Sequence, residues 1–179
     1  MLNVKEVVKP AAILFVICVI VACTLAGTNA LTKDRIEAQQ AAKAEQSRRI
    51  VLPAADSFEA AESYYIGLAG GEVAGYVFET QSKGYGGTVK IMTGIDTDGS
   101  ITGVVILEHE ETPGLGANAE KEAFRDQFKQ TAPSQGIAVV RYQTPGSGEI
   151  EAMTGASITS RAVTDAVNQA IRQYWEVTA

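Results

Sequence analysis

Residues 11 to 28, AAILFVICVIVACTLAGT, carry no charge, and Asn29, Ala30 and Leu31 follow before Lys33 appears. About 18 to 21 helical residues at roughly 1.5 Å each cross the hydrocarbon core of a bilayer, so this run predicts a membrane-spanning helix. Pro10 falls in its first turn, where a missing N–H costs least. A cleavable secretory signal is disfavoured by the uninterrupted apolar length. The stretch Ile20-Val21-Ala22-Cys23 has the form of a lipoprotein cleavage box ending on Cys23, but the apolar character continues past it. A type IV pilin leader would end in Gly ahead of an aromatic and a Glu at the fifth mature position, and neither occurs. Lys5 and Lys9 face Lys33 and Arg35 across the span, a weak charge asymmetry. The expected orientation is amino terminus inside and the following domain outside.

The rest of the chain narrows the chemistry. Both cysteines, Cys18 and Cys23, lie in the apolar run, and His109 is the single histidine. Four-cysteine zinc or iron-sulfur sites and a CxxCH haem tether are therefore excluded for this chain alone. Setting aside Lys5, Glu6 and Lys9 ahead of the run, the formal charge of −6 becomes −7. Nucleic-acid affinity rests on Lys and Arg releasing phosphate counterions, so no nucleic-acid partner is expected.

Three segments follow from composition: residues 1–31 as cytoplasmic tip and membrane anchor, 32–62 as juxtamembrane helix and linker, and 63–179 as a folded domain. TKDRIEAQQAAKAEQSRRIV (32 to 51) is rich in strong helix formers and Thr32 offers an N-cap, so the anchor is expected to continue or restart as a juxtamembrane helix, and Leu52-Pro53 ends it. Residues 54 to 62 read as a linker or a short helical turn. Short β-favouring runs then appear at 71 to 80, 88 to 96, 101 to 109 and 137 to 143. Asp96-Thr97-Asp98-Gly99-Ser100 predicts a hairpin turn. Helical spacing predicts helices at about 119 to 130 and at 158 to 175. Strands with irregularly placed helices indicate an α+β fold with a mainly antiparallel sheet and a C-terminal helix.

Two loops could carry chemistry. Small residues at Thr154-Gly155-Ala156-Ser157, opening the last helix, would let a phosphate approach the backbone at a helix N-terminus; a capped helix start has the same composition. His109-Glu110-Glu111-Thr112-Pro113-Gly114-Leu115-Gly116 follows a strand; it is either a polar turn or a loop whose amides and Thr112 hold a polar ring edge while Leu115 covers an apolar face. His109 without partners reads as a packing residue. Gly84-Tyr85-Gly86-Gly87 fits neither phosphate-loop template, and Tyr85 reads as a turn aromatic.

Taken together, an apolar anchor, KGYGG before a strand, HxETPGLG after a strand and [ST]GA[ST]xTS opening a final helix resemble the FMN-binding G subunit of the Rnf-type ion-translocating ferredoxin:NAD oxidoreductase. The similar C subunit of the sodium-translocating NADH:quinone oxidoreductase shares this domain. The resemblance covers the anchor through Ala170. It implies FMN attached by its phosphate, as a phosphoester, to the hydroxyl two residues after Gly155, which is Ser157. Thr154, Gly155, Ala156, Glu111, Thr112, Leu115 and Gly116 are the further cofactor-binding residues it implies. This chain departs from the pattern twice: Ser157 stands where Thr is usual, and Glu151 where Asp is usual.

The resemblance further implies an electron-carrying subunit of a membrane redox-driven ion pump. Its partners would be the other membrane and peripheral subunits and a flavin transferase for maturation, with the domain on the extracytoplasmic side of the cytoplasmic (inner) membrane. No complete reaction is expected from the isolated chain, and a tethered flavin needs no catalytic acid or base. The alternatives are an anchored extracytoplasmic flavoprotein of a standalone reductase or regulatory system, and a cofactor-free interaction domain on a single-pass anchor.

Overall fold

A single helix, α1 (Val4–Val51), runs from the apolar segment through the juxtamembrane one in the computed structural model, which describes residues 4–178. The chain divides into two compact units, Met1–Ala42 and Lys43–Ala179. In the first, the helix is long and apolar enough to cross a membrane, and its side chains from Val8 onward are exposed where described. Thr32 is not an N-cap, because the helix does not restart there. Its hydroxyl, like those of Thr24 and Thr28, instead donates to the carbonyl four residues earlier. Such back-bonding satisfies a hydroxyl on an exposed helix face without interrupting the backbone ladder.

The second unit is built on a five-stranded antiparallel meander in the order β1 (Ser57–Ala60), β2 (Tyr64–Ala69), β3 (Glu72–Lys83), β4 (Thr88–Asp96), β5 (Ile101–Glu108). Alternation along the strands sends side chains to opposite faces. Phe78 and Ile91 join one core, Val77 and Met92 the other. The larger core is closed by α3 (Ser157–Thr178), whose Val163, Ala166, Val167, Ala170 and Ile171 recur at helical spacing and are all buried. Thr80 donates to the Ala166 carbonyl at 2.9 Å, satisfying a hydroxyl buried between strand and helix.

The last turns of α1 close the opposite face. Val51 and Leu52 are fully buried there, and the Arg48 guanidinium lies 4.3 Å from the centre of the Tyr65 ring. Gly94 and Gly103, partners across β4 and β5, leave the space: a Cβ on Gly94 would strike the Val51 carbonyl, and one on Gly103 would sit 3.0 Å from Val51 Cα. The Thr102 hydroxyl donates to that carbonyl, and Lys43 Nζ donates to Leu107 O at 2.8 Å.

Three sequence expectations need correction. Residues 54 to 62 are not a linker or helical turn: they contain edge strand β1, whose Ala and Glu residues favour helix locally but whose backbone pairs with β2. Strand β2 (Tyr64–Ala69) also lies ahead of the first run expected to be a strand. The helix expected at 119 to 130 is broken into a 3-10 turn (Gly116–Glu120), α2 (Glu122–Arg125) and a second 3-10 turn (Asp126–Phe128), because Lys121 is extended at φ −71° and ψ 140°. That break serves the core. Phe124 and Phe128 both turn inward and meet edge to face at 5.5 Å. The strand expected at 137 to 143 shortens to β6 (Ala138–Val140), which pairs in parallel with β7 (Glu149–Glu151) apart from the main sheet.

Candidate functional site

Three chain segments converge beside the N-terminus of α3. The loop after β3 turns tightly at Gly84, whose N–H donates to Gly87 O at 2.8 Å. The loop after β5 runs from His109 to Leu115. The third segment leads from β7 into α3.

Glu111 ties all three together. Only 6% exposed, it accepts hydrogen bonds on Oε1 from the Tyr85 and Gly86 N–H groups at 2.8 and 3.2 Å, and on Oε2 from the Thr159 hydroxyl at 2.7 Å. A buried carboxylate is costly unless its oxygens are satisfied, and here three donors satisfy it. Glycines make room for it: a Cβ on Gly84 would meet Oε1, and one on Gly116 would meet Oε2 and lie 2.7 Å from Thr159 Oγ1. His109 is a structural residue. Its Nδ1 accepts from the Glu111 N–H at 3.1 Å, and its Nε2 stands 3.4 Å from Glu120.

The approach to α3 is held from within. Ser160 Oγ accepts from the Met153 N–H and donates to the Ala156 carbonyl, both at 2.9 Å. Gly155 adopts φ +76°, a left-handed conformation that a side chain would strain, and a Cβ there would also sit 3.3 Å from Leu115. The chain thus enters the helix beside Leu115, with the first-turn N–H groups lacking intrahelical partners.

A cavity of about 550 Å³ opens at this junction. Glu111, Thr112, Leu115, Gly116, Gly155, Ala156 and Ser157, all expected from sequence, line it. Thr154 does not; it borders a neighbouring hollow of about 390 Å³ together with Glu151 and Lys121. Tyr85, Tyr142, Ile158 and Thr159 complete the wall. Tyr85, read from the sequence as a turn aromatic, thus lies on the cavity wall. Tyr142 lies in a stretch whose β character gave no sign of a site, and nothing local distinguished it.

The hydroxyls at the start of α3 differ sharply. Thr159 and Ser160 are buried and hydrogen-bonded, and Thr154 lies outside the cavity. Ser157 lines the cavity, is partly exposed, and makes no side-chain hydrogen bond among the described residues.

This junction lies within a match to the FMN-binding domain family over residues 84–172, and the anchor matches the RnfG N-terminal region over residues 1–49. The chain is 41% identical to the G subunit of the Na(+)-translocating ferredoxin:NAD(+) oxidoreductase complex of Acetobacterium woodii, covering 95% of this chain and 92% of that one. It belongs to the Rnf-type G-subunit family. A second family member, the G subunit of the proton-translocating ferredoxin:NAD(+) oxidoreductase complex of Clostridium ljungdahlii, is 34% identical over 89% of this chain and 87% of its own. The G-subunit fold also resembles the C subunit of the Na(+)-translocating NADH-quinone reductase of Parabacteroides distasonis. There the TM-score is 0.56 and the identity 24%, over 65% of this chain and 62% of that one. Membership makes this chain an FMN-binding, membrane-associated subunit of an oxidoreductase complex, with one apolar N-terminal helix.

Proposed function

We propose that this G subunit relays electrons within an ion-translocating ferredoxin:NAD oxidoreductase through an FMN joined by its phosphate to Ser157, on the extracytoplasmic side of the cytoplasmic membrane. The observation that carries the attachment is the state of the Ser157 hydroxyl: of the four hydroxyls at the start of α3, it alone combines a place on the cavity wall with no hydrogen bond among the described residues. The residues present fit FMN. The cavity volume falls in the range of cofactor pockets, roughly 300 to 1,000 Å³, and its wall joins apolar side chains to a few polar groups.

FMN, when bound, would supply reversible one- and two-electron transfer. The chain's own contribution is placement. The N-terminus of α3 favours a phosphate's negative charge, and Gly155 keeps a side chain out of its approach. Leu115 and Ile158 offer apolar contact and exclude water, while Thr112 offers a hydroxyl. Glu111 holds the loops at fixed separation, so the cavity is formed before anything enters it.

The proposed division by role assigns residues 1–31 to anchor and cytoplasmic tip, 32–62 to the connection, and 63–179 to the part that carries the flavin. Other membrane and peripheral subunits would supply and accept the electrons, and a flavin transferase would load Ser157. The test is direct. The full chain, coexpressed with that transferase, should give a denatured, electrophoresed band with flavin fluorescence under ultraviolet light. A colourless band from a fully folded chain would overturn covalent attachment.

A further inference from the structure

Among the described residues, Tyr142 is the one non-glycine with a positive φ, at +55°. Left-handed backbone is unfavourable for an aromatic residue, and glycine or asparagine would take it more easily. Contacts within the chain do not compensate. The Tyr142 side chain is 92% exposed, with no hydrogen bond and no ring contact among the described residues. A strained residue that the rest of the fold does not hold in place suggests a functional constraint. Its position supplies one, because Tyr142 lines the same cavity as Ser157.

The surroundings sharpen the point. The Lys43–Ala179 unit leaves eight large apolar side chains exposed among its described residues, and four of them, Tyr85, Leu115, Tyr142 and Ile158, border this one cavity. Exposed apolar groups scattered singly need no explanation, whereas a cluster around one opening marks a ligand surface. Tyr142 is the most exposed of the four, which puts it on the solvent side.

We infer that Tyr142 is a cofactor-positioning residue, whose ring covers the flavin ring system from the solvent side and shields it from water. This rests on the FMN assignment proposed above. The β6–β7 loop gives the residue its place: β6 ends at Val140, and Ala152 N–H donates to Val140 O at 2.9 Å, binding the root of the loop to the segment that leads to Ser157. The left-handed backbone at Tyr142 turns the chain away from the strand direction at the edge of the cavity. Aromatic contact with a flat heterocycle is favourable in offset or edge-to-face geometry.

Two optical readouts test this without any assay of electron transfer. A phenol touching a flavin quenches its fluorescence by donating an electron to the excited state, which a phenyl ring does poorly, whereas shielding from a dissolved quencher depends on bulk alone. The full chain, matured with the transferase, is compared with its Tyr142→Phe and Tyr142→Gly variants for fluorescence yield and for quenching by iodide. Glycine suits the left-handed backbone, so the second variant keeps the loop. Tyr142→Phe should brighten by a factor of a few while remaining protected from iodide; Tyr142→Gly should brighten as much and lose protection. Flavin-bearing variants with the wild-type yield and iodide sensitivity would overturn the inference while leaving the FMN assignment standing. A wild-type chain bearing no flavin after maturation would overturn both.

Discussion

Glu111 and Thr159, 48 residues apart in sequence, meet at 2.7 Å, the threonine hydroxyl donating to Oε2 of the buried carboxylate. This bond ties the loop after β5 to the first turn of α3, and the other oxygen extends the clamp to the Tyr85 and Gly86 amides.

Glu111→Ala should therefore destabilise the folded unit. It orphans two amides and one hydroxyl, and a buried unsatisfied polar group costs about 1–3 kcal/mol. Glu111→Gln should cost less, since its carbonyl can still accept from the amides. Urea unfolding of both variants checks the order; equal midpoints with the wild type would show that the clamp does not contribute to stability.

Ser157→Ala should abolish the covalent flavin and Ser157→Thr should keep it. Its hydroxyl makes no hydrogen bond among the described residues, so the Ala variant loses no cap and should stay folded and membrane-bound. Peptide mass mapping after coexpression with the transferase decides. FMN found on Thr154, Thr159 or Ser160, or retained in Ser157→Ala, would reassign the site.

The proposed orientation is tested at the β4–β5 turn, where Asp98 is exposed. Asp98→Cys should react with a membrane-impermeant thiol reagent in intact cells, or in spheroplasts where an outer membrane intervenes. The native Cys18 and Cys23 lie in the apolar part of α1 and serve as the unlabelled background. Labelling only after lysis would place the domain in the cytoplasm.

Acid should loosen the sheet edge at Asp56. Its carboxylate accepts from the Gly70 N–H at 2.8 Å and the Ser57 hydroxyl at 2.9 Å; these bonds, with a smaller contribution from the Arg49 charge, hold its pKa below the ordinary 3.8. A depressed carboxylate pKa means that the contribution is present above the unfolded value and is lost as pH falls through the folded one. Protection of the Gly70 amide, measured relative to its intrinsic exchange rate at each pH, should thus fall as pH drops from 3.8 through the depressed folded value, a dependence that Asp56→Asn should flatten.

What could be read from the sequence was local or periodic. The charge-free run from 11 to 28 specifies an apolar helix wherever it sits, Asp96 and Gly99 close their hairpin through bonds within five residues, and the apolar stripe of α3 repeats every third or fourth position. Seven of the eight expected site residues gather at one cavity, because two short motifs each carry their own turn geometry. The tertiary structure decided the rest. Edge strand β1 forms against its own local propensity because β2 offers hydrogen-bond partners, and the segment at 119 to 130 breaks at Lys121 so that two phenylalanines reach the core. Glu111 becomes a clamp through partners 25, 26 and 48 residues away, and Tyr142 joins a wall drawn from segments between Tyr85 and Thr159. Pairings at that range depend on how the strands and helices pack, and a linear pattern of residue types does not encode which distant donor will face which acceptor.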